Sequence, residues 1–480
     1  MTAFAKITDP TDLDAIRAAI AETPDAADLV PLGIRTLSIS PEASSGLIAA
    51  VAGLVGERPD GRHRVAVLMD ETIIRRDGVD LKRHLCELLA GVFEVKEVVL
   101  GHDGRLHADD DALATATTAV EGYDCAVAIG SGTISDIGKV ATDRQCGIPL
   151  VIVQTAASVD GFTDNVSVVL RNVVKRTIPS RWPDVVLADT TTIADAPASM
   201  NTAGFGEVLS LYTAPTDWEL ASRFGLDDTF RPTPRDFLLE FAGEPAKWAE
   251  GLAHGSPGAV LDLTRMLAIR GIGTGIAGTT ACLSGVEHVV SHMLDMYAAA
   301  HDLPTGLHGA QVGVATQVAS AAWALLRRKL AEGEIVLNFP AATELEHQVK
   351  EAFTICDPTG GRGEECWSDY ARKLRAWNVY PARIRSIVAD LASDGVAIAA
   401  SVPSPSSLSA GLRAAGSPST PDDLLEWVTP EVWRWAVANC HFMRDRFTVV
   451  DLLFLLGWWT AADIDSVIAH AITAEREAVV

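Results

Sequence analysis

The stretch SGVEHVVSHMLDMYAAAHDLPTGLHGAQVGVA carries three histidines, His288, His292 and His308, at spacings that suit chemistry. His288 and His292 lie four residues apart in a helical pattern, so their rings share one face, one turn apart. Pro304 and Gly306 mark a turn before His308, which opens the next helical pattern and can fold back toward that face. Two imidazoles and a carboxylate around an open coordination position make a catalytic divalent-metal site, suited to a carbonyl or alkoxide oxygen. The candidate carboxylate is Glu207, in the glycine-punctuated segment AGFGEVL that leads into an earlier helix. The competing reading is structural: such histidine pairs also occur as surface features, and His301 is read in that way.

A second constellation lies upstream, in DCAVAIG followed by SGTISDIGKVA. Gly130, Ser131 and Gly132 come directly after an apolar run and before a helical one, with Thr133 and Ser135 as hydroxyl caps and Asp136 just inside. Glycines there let a pyrophosphate approach the backbone, and the helix amides supply donors and the positive end of a dipole. A tight structural turn is the alternative. Asp70 and Glu71 end an earlier apolar run, where a carboxylate can accept hydrogen bonds from an adenosine ribose and repel a 2'-phosphate, favouring NAD over NADP.

The elements that must position these groups are legible as alternation. RVAVLMD (64 to 70), VKEVVLG (95 to 101), DCAVAIG (124 to 130), IPLVIVQ (148 to 154) and PDVVLAD (183 to 189) are short β-branched runs bounded by turn residues. Helix-length segments such as LKRHLCELLAG and DDDALATATTAVEG lie between them, the signature of a parallel, helix-covered sheet. After about residue 195 the β-branched runs give way to alanine- and leucine-rich helical segments. The expected fold is an α/β Rossmann-like domain over 1–192, with a helical prelude to about residue 60, followed by an all-helical domain over 193–480. SVPSPSSLSAG (401 to 411) reads as a loop. Ligands are expected beyond the carboxyl ends of the strands.

Composition narrows the partners. The 480 residues carry a formal net charge of -24, which argues against nucleic-acid and anionic-membrane surfaces. No stretch reaches the roughly 20 apolar residues that span a bilayer, and the start MTAFAKITDPTDLDAI lacks a secretion signal, so a cytoplasmic protein is expected. Seven scattered cysteines without a C-x-x-C pair suggest neither disulfides nor a thiolate zinc site.

A family resemblance rests on GSGTISDIGK, QTAASVDGF, DAPASMNTAGFGEVLSLYTAPTDWELA, SGVEHVVSH, LHGAQVGVAT and RDRFTVVDLLFLLG, in that order, from about residue 40 to 470. The series resembles bacterial and archaeal sn-glycerol-1-phosphate dehydrogenases, in the superfamily of iron-containing alcohol dehydrogenases and dehydroquinate synthases. The resemblance implies a dehydroquinate synthase-like fold holding NAD(H) and a Zn, Ni or Fe ion, reduction of dihydroxyacetone phosphate to sn-glycerol 1-phosphate, and a homodimer. Position by position, it implies that Gly130, Ser131, Gly132 and Asp136 form the pyrophosphate turn, that Thr155 and Ser158 lie on the cofactor side, and that Asp160 lies near the substrate. It implies Glu207, His288 and His308 as metal ligands, leaving His292 to move protons.

The chain departs from the family pattern at Glu207, usually Asp; at Leu211, usually Lys; at Val159 in the usual S-H-D-G; and at Ala310 in the usual H-G-E-Q. Either the substrate is a related carbonyl, or its phosphate is held from elsewhere, with Lys175, Arg176 and Arg181 as candidate cations. The runner-up is a sugar phosphate cyclase resembling dehydroquinate synthase, which shares Glu-His-His ligation and NAD but carries a lysine-rich pocket that is lacking here. A scaffold protein with a decayed site is a third reading. His441 and Arg444, before the RFTVVDLL segment, are read as structural, with an approach to the cleft as the alternative.

Overall fold

The computed structural model describes residues 3–57, 61–101, 106–171, 174–332 and 335–477. They fall into two compact units, one of 1–204, 231–241 and 250–278, the other of 205–230, 242–249 and 279–480.

The first unit is built on strands β1 (Thr36–Ser40), β2 (Arg64–Asp70), β3 (Arg75–Arg76), β4 (Val79–Asp80), β5 (Glu94–Leu100), β6 (Cys125–Gly130), β7 (Leu150–Gln154), β8 (Val166–Arg171), β9 (Val174–Pro179) and β10 (Val185–Asp189). Six of them form one sheet in the order β1-β10-β7-β6-β2-β5, with every neighbouring pair parallel. Strands β6, β7 and β10 are buried throughout, which is why they read as unbroken apolar runs.

The chain runs from β2 to its neighbour β5, then crosses to place β6 on the other side of β2. The winding therefore reverses between β2 and β6, and the carboxyl ends of these two strands, where Asp70 and Gly130 stand, form the switch point at which sheets of this kind hold ligands.

Three expectations need correction. The stretch before residue 60 is not all helical, because β1 lies within it and pairs with β10. Only Leu37 and Ile39 of TLSIS are buried, so the edge strand carried too little apolar pattern to be singled out. The antiparallel hairpin of β8 and β9 was not foreseen either. SVPSPSSLSAG is largely helix: Ser404 caps Pro405–Ala415 by accepting from the Ser407 amide, and Leu408 and Leu412 are buried. Serine and proline in the first turn mark a helix start rather than a loop.

The hairpin is moored by Lys139, on the helix Gly132–Arg144. Its fully buried ammonium pairs with Asp136 (3.2 Å) and Asp164 (2.6 Å) and donates to the carbonyls of Gly161 (2.7 Å) and Val166. Burial pushes the Asp164 carboxyl up to about 7, with Lys139 opposing the shift.

Among its described residues the second unit is helical, and its core gathers Trp323, Trp377, Phe353 and Phe447. The helices Val286–Ala300 and His308–Glu332 pack side by side in it. The helix Ala198–Leu209 meets the second of these through glycine: a Cβ on Gly206 would lie 2.2 Å from the Gly309 carbonyl oxygen, and one on Gly313 would lie 2.7 Å from the Gly206 Cα. Among the described residues no helix is long and apolar enough to cross a membrane.

Two outcomes follow from this packing. Gly206→Ala must push the two backbones apart, and denaturant titration should read a loss of about 1–3 kcal/mol; an unchanged midpoint would refute the contact. Lys139→Met leaves Asp136 and Asp164 buried without their cation, so the same titration should read a loss of about 3–5 kcal/mol.

Candidate functional site

Glu207, His288 and His308 each offer a ligand atom, and these atoms all lie within 4.8 Å of one another. His288 Nε2 is 3.1 Å from Glu207 Oε1, and His308 Nε2 is 3.9 Å from Glu207 Oε2. Ion-to-ligand bonds of about 2.0–2.2 Å would put tetrahedral ligands a little over 3 Å apart, so the set fits one divalent ion. Glu207 and His288 are buried and His308 is half-buried. The close approach at Gly206 brings the residue after it, Glu207, against the start of the His308 helix.

Each imidazole has a partner on its far side that the sequence reading missed. His288 Nδ1 lies 3.1 Å from Glu287 Oε1. The Glu287 carboxylate is fully buried and accepts from the Gly285 amide (2.7 Å) and the Thr213 hydroxyl (2.9 Å). His308 Nδ1 lies 2.9 Å from Ser291 Oγ, which donates to Gln311 Oε1 at 2.7 Å. Burial pulls the His288 pKa down, but Glu207 and Glu287 outweigh it and hold the imidazole up to about 9. Two carboxylates around a buried imidazole create a potential that favours a cation. The one signal in the sequence was adjacency: Glu287 directly precedes His288.

His292 is not among the three. Its half-buried ring stacks on that of His308, with centroids 5.5 Å apart and planes 26° off parallel, and lies 6.5 Å from the ring of His288. It therefore borders the ligand set.

The glycine turn takes the expected form. Ser131 stands at the N-cap position of the helix Gly132–Arg144 directly after β6 without a side-chain cap bond, and Thr133 and Ser135, expected as caps, lie inside the helix, where the Ser135 hydroxyl donates to the Ser131 carbonyl (3.2 Å). A Cβ on Gly130 would meet Ile134 at 2.8 Å, and one on Gly132 would meet Val159 at 2.6 Å, so the turn tolerates no larger residue. The Thr155 amide donates to the Gly130 carbonyl (3.2 Å), holding the next loop against the turn. Within that loop Ser158 is half-buried, and the Ala157 amide donates to Asn201 Oδ1 at 3.2 Å.

The acids of this region are all engaged. Asp70 pairs with the buried Lys82 and accepts from the Thr72 hydroxyl (3.0 Å). Asp136 faces Lys139 and also accepts from the Val168 amide (3.3 Å), so its carboxylate anchors the hairpin. Asp160 pairs at 3.1 Å with the buried guanidinium of Arg270, a cation the sequence reading missed.

The cations proposed from sequence are less concentrated. Arg181 ties strand ends together through the Ile148 carbonyl and Asp184 (2.7 Å). Arg176 is exposed on β9, and the side chain of Lys175 lies outside the described residues. Of the departures, Leu211 and Ala310 are buried, while Val159 packs on Gly132. His441 is buried against Phe442 and Phe454, and burial together with Lys373 holds its pKa well below the usual value, consistent with the structural role read for it.

Comparison with known proteins follows the same lines. The family described as iron-containing alcohol dehydrogenase matches residues 42–197. The glycerol-1-phosphate dehydrogenase [NAD(P)+] of Bacillus velezensis is 32% identical over 251 residues, covering 51% of this chain and 63% of that protein, so the match spans less than two thirds of its length. The enzyme of the same name from Halorubrum lacusprofundi is 30% identical over 281 residues, covering 55% of this chain and 78% of that protein. The crystal structure of maleylacetate reductase from Agrobacterium tumefaciens shares the fold, with a TM-score of 0.52 at 16% identity over 93% of this chain and 97% of that one. The ordered motifs, the parallel sheet with its helical partner unit and the matched relatives agree: the chain belongs to the glycerol-1-phosphate dehydrogenase family of the iron-containing alcohol dehydrogenase superfamily.

Proposed function

We propose that the protein is a metal-dependent NAD(P)H-linked reductase of a small phosphorylated ketone, with dihydroxyacetone phosphate reduced to sn-glycerol 1-phosphate as the leading reaction. The observation that carries this reading is the convergence of Glu207, His288 and His308 on one point. The relatives' names support the reaction, and Zn, Ni and Fe all suit an imidazole and carboxylate set. It acts as a cytoplasmic homodimer in this reading, with 1–192 as the cofactor domain and 193–480 as the metal and substrate domain.

In this reading the dinucleotide's pyrophosphate lies on Gly130, Ser131 and Gly132, at the amino end of the helix that carries Asp136. Thr155 and Ser158 line the cofactor side, and Asp70 accepts from the ribose. Lys82 offsets part of the Asp70 charge, which weakens its repulsion of a 2'-phosphate. When bound, the ion supplies Lewis acidity and the dinucleotide supplies a hydride.

The chain's residues do the rest. Glu207, His288 and His308 hold the ion's position, and their burial excludes water and strengthens the local field. His292 delivers a proton to the developing alkoxide, and Asp160, fixed by Arg270, orients a substrate hydroxyl. With Leu211, Val159 and Ala310 apolar, the substrate's phosphate must be met by other donors. A glutamate at 207 also suits the cyclase reading, which predicts no net change in NADH.

The deciding assay follows NADH absorbance with dihydroxyacetone phosphate and a panel of keto-phosphates after loading with Zn, Ni or Fe. Stoichiometric oxidation that a chelator abolishes and metal restores is expected; metal-loaded protein that oxidises NADH with none of them sinks the proposal. Substitution separates the roles. His308→Ala should lose metal and turnover together, whereas His292→Gln should keep its metal while kcat falls about 10²–10⁴-fold. A His292→Gln enzyme with undiminished kcat would remove the proton role.

A further inference from the structure

We propose that Glu287 and Ser291 are positioning residues that fix the tautomers of the two ligand imidazoles, so that both present Nε2 to a single divalent ion beside Glu207. The inference rests on the metal reading above and adds residues to it. An imidazole binds an ion through the nitrogen that lacks a hydrogen, so the other nitrogen must have a partner that accepts its N–H.

For His288 that partner is the Glu287 carboxylate, 3.1 Å from Nδ1. Glu287 cannot turn away, because the Gly285 amide and the Thr213 hydroxyl hold its two oxygens separately, and the side chain is fully buried. With an ion beside Glu207, Nδ1 keeps its hydrogen on Glu287 and Nε2, 3.1 Å from Glu207 Oε1, is the nitrogen left for the ion.

For His308 the logic passes through a hydroxyl. Ser291 Oγ has one hydrogen and gives it to Gln311 Oε1 at 2.7 Å, an oxygen that can only accept. Toward His308 Nδ1, 2.9 Å away, the hydroxyl must then accept, which again leaves Nε2 bare and aimed at Glu207.

One helix, Val286–Ala300, carries the ligand His288 together with both orienting side chains, at the positions one before it and three after it. The arrangement also sets charge. Glu207 and Glu287 bring two negative charges, which a divalent ion balances inside a buried site.

The test uses the full-length protein stripped by a chelator, titrated with Zn²⁺ against a chromophoric competitor, and loaded in parallel with Co²⁺ for its visible spectrum. Glu287→Gln and Ser291→Ala should each weaken Zn²⁺ binding about 10–100-fold and alter the Co²⁺ bands. Thr213→Val should shift both readouts the same way by less, and Ser291→Thr, which keeps the hydroxyl, should restore affinity. Thermal unfolding of the stripped proteins identifies any variant that fails to fold, and Ser291→Ala then decides alone. Wild-type affinity and spectrum in Ser291→Ala, with Glu287→Gln also unchanged where it folds, overturn the inference while leaving the metal site standing. A wild-type protein that holds no Zn²⁺ instead overturns the metal reading beneath it.

Discussion

Three potential ligand atoms from three stretches of chain meet within 4.8 Å, and the close approach of two helix backbones makes that possible. Glu207 has a short reach, so its helix has to lie nearly in contact with the one that begins at His308. Glycines at 206 and 313 remove the side chains that would hold those backbones apart. The conformational freedom that glycine costs a helix is offset by the packing it allows. A glutamate where the family usually has an aspartate fits the same frame, since the longer side chain still reaches both imidazoles.

The same trade between burial and pairing recurs in the first unit. Lys139 is taken wholly out of water to hold the loop 160–166 and the hairpin, which is tolerable only because two carboxylates and two carbonyls surround its ammonium. Glycine again sets the approach, with Ile134 and Val159 occupying the space that a Cβ on Gly130 or Gly132 would need. The loop bearing Asp160 is thereby fixed at one end by Lys139 and at its acid by Arg270.

Where the chain departs from its family, polarity has been exchanged for apolar packing. Leu211 is wholly buried, Ala310 nearly so, and Val159 fills the space beside Gly132. In the first unit, Arg270 is a buried cation set on Asp160, and the amino end of the helix Gly132–Arg144 presents the positive end of a dipole at the glycine turn.

Much of this was legible in the residues themselves, because period and composition are local properties. The parallel sheet showed as apolar runs of β-branched residues, the helical half as alanine and leucine spacing, and the candidate ligands His288 and His308 as histidines on one helical pattern and at the start of the next. The edge strand at 36–40 and the helix at 405–415 escaped because their identity depends on what they pack against: two buried residues make a strand only beside β10, and serines make a cap only where a helix follows. That Asp136 shares the buried Lys139 ammonium with Asp164 could not be read from the sequence, since a carboxylate's partner is set by folding. Glu287, Ser291 and Arg270 had no pattern to announce them. The sequence by itself determined which chemistries were available, because residue types and local periods are written in it; tertiary structure alone decided which nitrogen, oxygen and guanidinium stand within hydrogen-bonding reach, because those distances arise only when segments far apart in the chain are packed together.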